Sequence, residues 1–380
     1  MIIKTVFSLS LAAAASLLAS PILAANSTEG IPYFDHQFVI MMENHGYSQI
    51  IGSQYTPYIN QLATTDNLAT NYYAVTHPSL PNYIAVVAGD TFGNGAAYNN
   101  GYPDPNGGND NPPAWSTGTP GTSSTTTYDS NITAPTIASQ LVDAGKSWKT
   151  YQENIPSVGS NWASSTSNGL PTGTVDKLYA VKHNPFAYFA SVQNDPTQRA
   201  NMVGFDQLTA DLASGNVPSY SFIAPNQCND MHGDPAGGCP YGNTTIPDAN
   251  EQANLTKGDN EVKSLVTQIT SSSIWSQGKN IIYVLWDEND YGTSSNQEPV
   301  IAIPNSGPLG LRDNTYANSY SFLRTTEDAA GITSYLGNAG TATPMVGLFS
   351  SEVPEPVNML GVGFAGLVGL FFKRALSKKS

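Results

Sequence analysis

Five short runs of apolar and β-branched residues punctuate the chain, at positions 38–42, 148–151, 220–224, 281–286 and 300–303. Each is bounded by polar or turn-forming residues and is too short for a helix, so each is expected as a buried strand. Between them, residues 58–64, 82–87, 136–144 and 261–271 carry the spacing of amphipathic helices. Strands alternating with helices, without an internal repeat between about residues 32 and 349, predict an α/β fold around a largely parallel sheet. One stretch, residues 93–131, is rich in Gly, Asn, Pro, Ser and Thr and is expected as a long surface excursion. Its Asp104 and Asp110 match no EF-hand spacing, and solvated turns account for them.

The two ends have a different pattern. Residues 1–25 carry one lysine, Lys4, then an apolar run from Val6 to Leu18, then small residues ending at Ala24 and Ala25. That order is expected of a secretory signal peptide, and the run falls short of the roughly 20 residues needed to span a bilayer. At the other end Pro354, Glu355 and Pro356 precede an apolar stretch from Met359 to Phe372, which Lys373, Arg374, Lys378 and Lys379 close. This tail, residues 351–380, resembles the bacterial PEP-CTERM sorting signal. The resemblance implies an export and C-terminal sorting machinery as partner and transient contact with the inner membrane. The expected location is then the periplasm, the cell surface or the extracellular matrix, with a plain C-terminal anchor as the alternative. The glycines at 361, 363 and 366 spell a dinucleotide fingerprint, but no βαβ unit surrounds them.

Composition narrows the partners. Fifteen Lys and Arg stand against 29 Asp and Glu, giving a formal net charge of -14 in 380 residues. Without a basic cluster outside the last eight residues, a phosphate backbone is repelled and no nucleic acid is expected as partner. The only two cysteines, Cys228 and Cys239, lie in a loop rich in Gly and Pro. In an oxidising compartment they are expected to form a disulfide, since a zinc site would want more ligands nearby than His232.

The chemistry lies where strands end. Residues 38–42 run into Glu43, Asn44 and His45; residues 281–286 run into Asp287, Glu288, Asn289 and Asp290; residues 220–224 lead to Asn229, Asp230, His232 and Asp234. In a parallel sheet these clusters emerge at one carboxyl edge, where open α/β sheets place their sites. Oxygen ligands in this number suit a hard divalent cation, and carboxylates beside histidine also suit zinc. Ser79 stands ahead of a proline and an apolar helical stretch, so its hydroxyl is placed either as a nucleophile at a helix N-terminus or as a helix cap.

Read together, several segments resemble one family. Ser79, Leu80, Pro81 and Asn82 with Gly89 are similar to the nucleophile segment of the alkaline phosphatase superfamily. Glu43-Asn44-His45, the segment 147–154, Lys182-His183-Asn184-Pro185-Phe186, the Asn229 to His232 loop and Trp286-Asp287-Glu288 resemble the phosphoesterase family of acid phosphatases and bacterial phospholipases C. The resemblance implies an alkaline phosphatase-like three-layer sandwich with a mostly parallel central sheet, spanning residues 32–350 as one catalytic domain. It also implies a metal-dependent hydrolase of phosphate monoesters, working on a small phosphate-ester substrate through a phosphoserine. Glu43, Asn44, Ser79, Asp287 and Glu288 would hold one divalent metal ion, and Asp230 and Asp234 are a possible second site. Ser79 would be the nucleophile and Asn82 a donor to the phosphoryl group. His183 and His232 would hold the phosphate or protonate the leaving oxygen, with His77 a further candidate. His36 is expected to be structural and His45 to orient the ligand loop. A phospholipase C-type phosphodiesterase and a non-catalytic surface or matrix protein on the same fold are the alternatives.

Overall fold

The structure, a computed structural model, describes residues 30–92, 98–99, 102–103, 132–161, 178–234, 238–240, 248–290 and 295–350. The expected leader, the sorting tail and nearly all of the 93–131 excursion, with Asp104 and Asp110, lie outside the described residues. Among the described residues no helix is long and apolar enough to cross a membrane.

Nine strands form one sheet among the described residues: β1 (His36–Met42), β2 (Asn67–Tyr73), β3 (Trp148–Gln152), β4 (Met202–Val203), β5 (Tyr220–Ala224), β6 (Asn280–Trp286), β7 (Gln297–Pro304), β8 (Arg312–Asp313) and β9 (Ala317–Asn318). Their order is β8-β2-β7-β6-β1-β5-β3-β4, with β9 also on β2. β1 lies between β5 and β6 and is parallel to both. β7 alone runs antiparallel to its two neighbours. The sheet is thus mostly parallel, and all five expected strands are present.

The period of two along a strand sorts the core into two halves. In β1, Phe38, Ile40 and Met42 pack with Leu255, Val262, Val266 and Ile269 from helix α5 (Ala249–Thr270), alongside Ile59 and Leu62 from α1 (Pro57–Thr65). Val39 and Met41 point the other way, against Tyr83, Ile84 and Val87 of α2 (Ser79–Ala88) and Phe322 and Leu323 of α6 (Ser319–Ala329). Helices α3 (Ile137–Asp143) and α4 (Phe205–Ser214) complete the two flanks. Helices on both faces of a sheet make three layers. Every residue of β6 is buried, so its apolar run has no polar alternation. Burial of each such Leu, Ile or Val side chain contributes roughly 1.5–3 kcal/mol.

Helix α5 begins twelve residues before the expected 261, because Asp248 caps it by accepting hydrogen bonds from the amides of Asn250 and Glu251. Helix α2 stops at Gly89, whose φ of 74° is left-handed. A Cβ there would lie 2.2 Å from the Leu336 carbonyl oxygen, so glycine is required. Cys228 and Cys239 are joined as expected, with their Cα atoms 5.0 Å apart.

Candidate active site

The register of the central strands assembles the site. Met42 of β1 sits opposite Trp286 of β6, so the next residues, Glu43 and Asp287, leave the sheet side by side. The Asp287 amide donates to the Met42 carbonyl at 3.1 Å, and the Glu43 amide donates to the Asp230 carbonyl at 2.8 Å, which draws in the loop after β5. Glu43 shares the face of Val39 and Met41 and therefore points toward α2.

Ser79 is the first residue of α2, and Pro81 is tolerated within that first turn because no intrahelical bond is lost there. The preceding turn is held by Asn82. Its Oδ1 accepts from the Val75 and Thr76 amides, both at 3.1 Å, and its Nδ2 donates to the Thr76 and Pro78 carbonyls at 2.9 and 3.2 Å. So anchored, the Ser79 Oγ lies 3.1 Å from Glu43 Oε2, 3.0 Å from Glu288 Oε1 and 3.2 Å from Lys182 Nζ. Glu288 Oε2 also accepts a hydrogen bond from His77 Nδ1. Asn44, at φ 56°, turns its backbone amide to Asp287 Oδ1 at 3.1 Å.

His183 bridges two carboxylates: Nε2 is 2.8 Å from Glu43 Oε1 and Nδ1 is 3.0 Å from Asp230 Oδ2. The Tyr83 ring from α2 stacks on it at 5.2 Å. Asp230 Oδ1 in turn accepts from the His232 amide at 2.7 Å. The His232 Nδ1 lies 2.6 Å from the Gly233 carbonyl, so Nδ1 carries the proton and Nε2 presents its lone pair to Lys182 Nζ at 3.2 Å. His45 spans from the Glu43 carbonyl to Glu251 Oε1, at 3.0 and 2.7 Å, tying the ligand loop to the first turn of α5.

Burial sets the electrostatics. It would raise the Glu43 carboxyl, but His183 beside it, with Lys182 and His232, holds that group well below the usual carboxylate range. Burial opposes charge on His183 as well, and Glu43 and Asp230 outweigh it, lifting the imidazole to about 9. Asp230 is pushed up to about 6 by burial against the pull of His183. Burial and then Lys182 push His232 down to about 4, and burial pushes His77 down to about 4. Asp287 is driven well above its ordinary range by burial and by the charges of Glu43 and Glu288.

The donor set fits a divalent cation. Glu43, Asp287 and Glu288 are each at most 2% exposed, and Asp287 Oδ2 has no hydrogen-bond partner. Ser79 has one hydroxyl proton for two carboxylate oxygens at hydrogen-bond distance, so like charges converge there without a proton for each. Among the described residues, Glu43, His183 and His232 also place one ligand atom each within 4.8 Å of one another.

The structure therefore brings together Glu43, Ser79, Asp287, Glu288, His183 and His232, with Asn44 present through its backbone. Asn82, expected as a donor to a phosphoryl group, instead spends its side chain on the turn before Ser79: all four of its hydrogen bonds go to backbone groups of residues 75–78. Asp230 belongs to His183, while Asp234 is buried further along the disulfide loop and its carbonyl accepts from the Cys239 amide. Sequence reasoning assigned no role to Lys182 or Glu251. Lys182 stands next to His183, and that adjacency is its available signal; Glu251 lies in a polar stretch without any.

A family model described as "Phosphoesterase family" matches residues 53–311. A curated "Phosphatidylinositol-3-phosphatase" of Mycobacterium tuberculosis is 29% identical, over 88% of this chain and 91% of its own length. A "Probable acid phosphatase" of Kluyveromyces lactis and an "Acid phosphatase" of Aspergillus fumigatus are each 27% identical, over 77% and 82% of this chain. The chain spans 58% and 57% of the length of those two fungal proteins. Among solved structures, a protein in the alkaline phosphatase superfamily from Vibrio parahaemolyticus is 16% identical at a TM-score of 0.48, over 84% of this chain and 74% of that one.

Proposed function

Because the chain belongs to the phosphoesterase family, and so is a phosphoric ester hydrolase, we propose that it cleaves phosphate monoesters through Ser79 with the help of one divalent metal ion. The observation that carries this reading is the Ser79 hydroxyl, buried at a helix N-terminus between Glu43 and Glu288 with Asp287 alongside.

A serine hydroxyl is a poor nucleophile at its free pKa. Glu43, Asn44, Ser79, Asp287 and Glu288 would hold the ion, which lowers the hydroxyl pKa and offsets charge on the phosphoryl oxygens. The chain supplies the rest. Glu288 accepts the Ser79 proton as Oγ bonds to phosphorus and the ester P–O bond breaks, and the departing alkoxide takes a proton from water on the open side of the site. Hydroxide left by that water then bonds to phosphorus as the Oγ–P bond breaks, and Glu288 returns its proton to the Ser79 oxygen, while His232 Nε2 faces Lys182 Nζ at 3.2 Å and orients it. His183, enclosed between Glu43 and Asp230, keeps Glu43 ionised and oriented. Asn82 positions the nucleophile by fixing the turn before it.

Acid phosphatase is the activity class named for the fungal relatives, and the name of the mycobacterial relative adds lipid-borne monoesters to the substrates to be tried. Export by residues 1–25, sorting through the 351–380 tail with transient membrane contact, and residence outside the cytoplasm complete the proposal; a disulfide in the described body supports an oxidising compartment. Hydrolysis of an aryl phosphate and a bis-aryl phosphate, before and after chelation, tests it. Fast monoester cleavage that chelation stops and added cation restores is expected. Preference for the diester would favour a phospholipase C-type phosphodiesterase, and no activity on either would leave a surface protein.

A further inference from the structure

We propose that Lys182 is a catalytic residue whose ammonium takes the place of a second metal ion beside Ser79, an inference that rests on the metal-assisted serine reading above. Three side chains next to the nucleophile, Glu43, His183 and His232, are grouped closely enough to ligate an ion. The two imidazoles even have the outer partners of metal-binding histidines: Asp230 Oδ2 on His183 Nδ1 and the Gly233 carbonyl on His232 Nδ1. Yet the His232 lone pair that such an ion would need is already directed at Lys182 Nζ, 3.2 Å away. The same ammonium is 3.2 Å from Ser79 Oγ. The chain thus delivers, on a covalent tether, the positive charge that a second cation would bring.

The backbone explains why Lys182 can do this while its neighbour does something else. Residues Val181–His183 form a single 3-10 turn, which sends the buried His183 to Glu43 and Asp230 and the half-buried Lys182 to Ser79 and His232. Lys182, His232 and Asn44 are the partly exposed members of the cluster, so a phosphoryl group reaching Ser79 passes the ammonium. As the Oγ–P bond forms and the ester P–O bond breaks, negative charge rests on the non-bridging oxygens, and a fixed ammonium stabilises that charge without transferring a proton.

The test uses the full chain with three substitutions, Lys182→Met, Lys182→Ala and Lys182→Arg, and three readouts: kcat/KM on an aryl phosphate, inhibition by vanadate, and zinc bound per chain after dialysis. Lys182→Met and Lys182→Ala are expected to lose about 10²-fold in kcat/KM, to weaken vanadate inhibition in step, and to bind one more zinc ion than the wild type. Lys182→Arg keeps the charge, retains more activity and binds no extra zinc. Near-normal kcat/KM, or a loss with unchanged vanadate inhibition, overturns the catalytic role, and an unchanged zinc count overturns the replacement of an ion. If the wild type is active and Ser79→Ala is not, these failures concern Lys182 alone. An inactive wild type or a fully active Ser79→Ala would remove the serine reading itself.

Discussion

Replacing Asp287 by asparagine should make the metal-free protein more stable and the metal-loaded protein less so. Asp287 is 2% exposed; its Oδ1 accepts from the Asn44 amide at 3.1 Å, and its Oδ2 has no hydrogen-bond partner. Asparagine keeps the volume and the Oδ1 acceptor, carries no charge at any pH and puts a donor where the unpartnered Oδ2 stood. Relief of a buried, unsatisfied acceptor is worth about 1–3 kcal/mol, which in a domain of this size is a rise of several degrees in Tm, at about 2–4 °C per kcal/mol. The wild type instead gains about 2.7 kcal/mol at a cation concentration of 100 Kd, a gain the variant should lack. The pH dependence has a definite sign. Because the folded Asp287 carboxyl is raised above its ordinary 3.8, the native metal-free protein holds a proton that the unfolded chain releases, so this contribution is present below 3.8 and is lost as pH rises through the folded value. Thermal unfolding of both proteins in chelator and in added divalent cation, across acidic to neutral pH, measures all of this. A variant that melts below the wild type in chelator, or that still gains stability from the cation, would refute the placement of the ion at Asp287.

Ser79→Ala should lower kcat by about 10⁴-fold or more while metal content and Tm stay near those of the wild type; comparable turnover would remove Ser79 from the reaction. Asp230→Asn weakens the hold on His183 Nδ1 and should cost about 10–100-fold in kcat/KM, read by steady-state kinetics with the ion saturating. Reduction of the Cys228–Cys239 bond, which links residues 11 apart, should cost about 3 kcal/mol of stability, measured by unfolding with and without reductant.

The proposed oxygen ligands are legible because each follows an uninterrupted apolar run: Met42 into Glu43, Trp286 into Asp287. A buried strand that ends abruptly in carboxylates gives both its own position and the edge of the sheet on which its ligands lie. What such runs cannot give is direction. The apolar 300–303 run predicts a strand, but its antiparallel course as β7 is decided by long-range pairing with β2 and β6. Strand β2 went unseen because Asn67, Thr70 and Asn71 break its apolar pattern, and α6 because its sequence is polar although it is largely buried. Arg324 Nε donating to Asp328 at 3.0 Å and the Leu336 amide donating to Glu327 at 2.9 Å show how those charges are accommodated. Ser79 is the first residue of α2 and Pro78 its cap, and the Ser79 hydroxyl meets three partners from three distant segments, Glu43, Lys182 and Glu288. Their convergence has no local signature.

The Cys228–Cys239 bond closes the loop that carries Asp230 and His232, the carboxylate behind His183 and the nitrogen facing Lys182. The bond is one of several fastenings on that segment: the Asp230 carbonyl accepts from the Glu43 amide at 2.8 Å, the Met231 carbonyl from Asn254 Nδ2, and the Gln227 carbonyl from the Gly233 amide at 2.7 Å. The loop is thus tied to the sheet edge at its inner end and to itself at its outer end. Errors in the position of His232 are absorbed by the outer closure, while Asp230 keeps the register of the sheet.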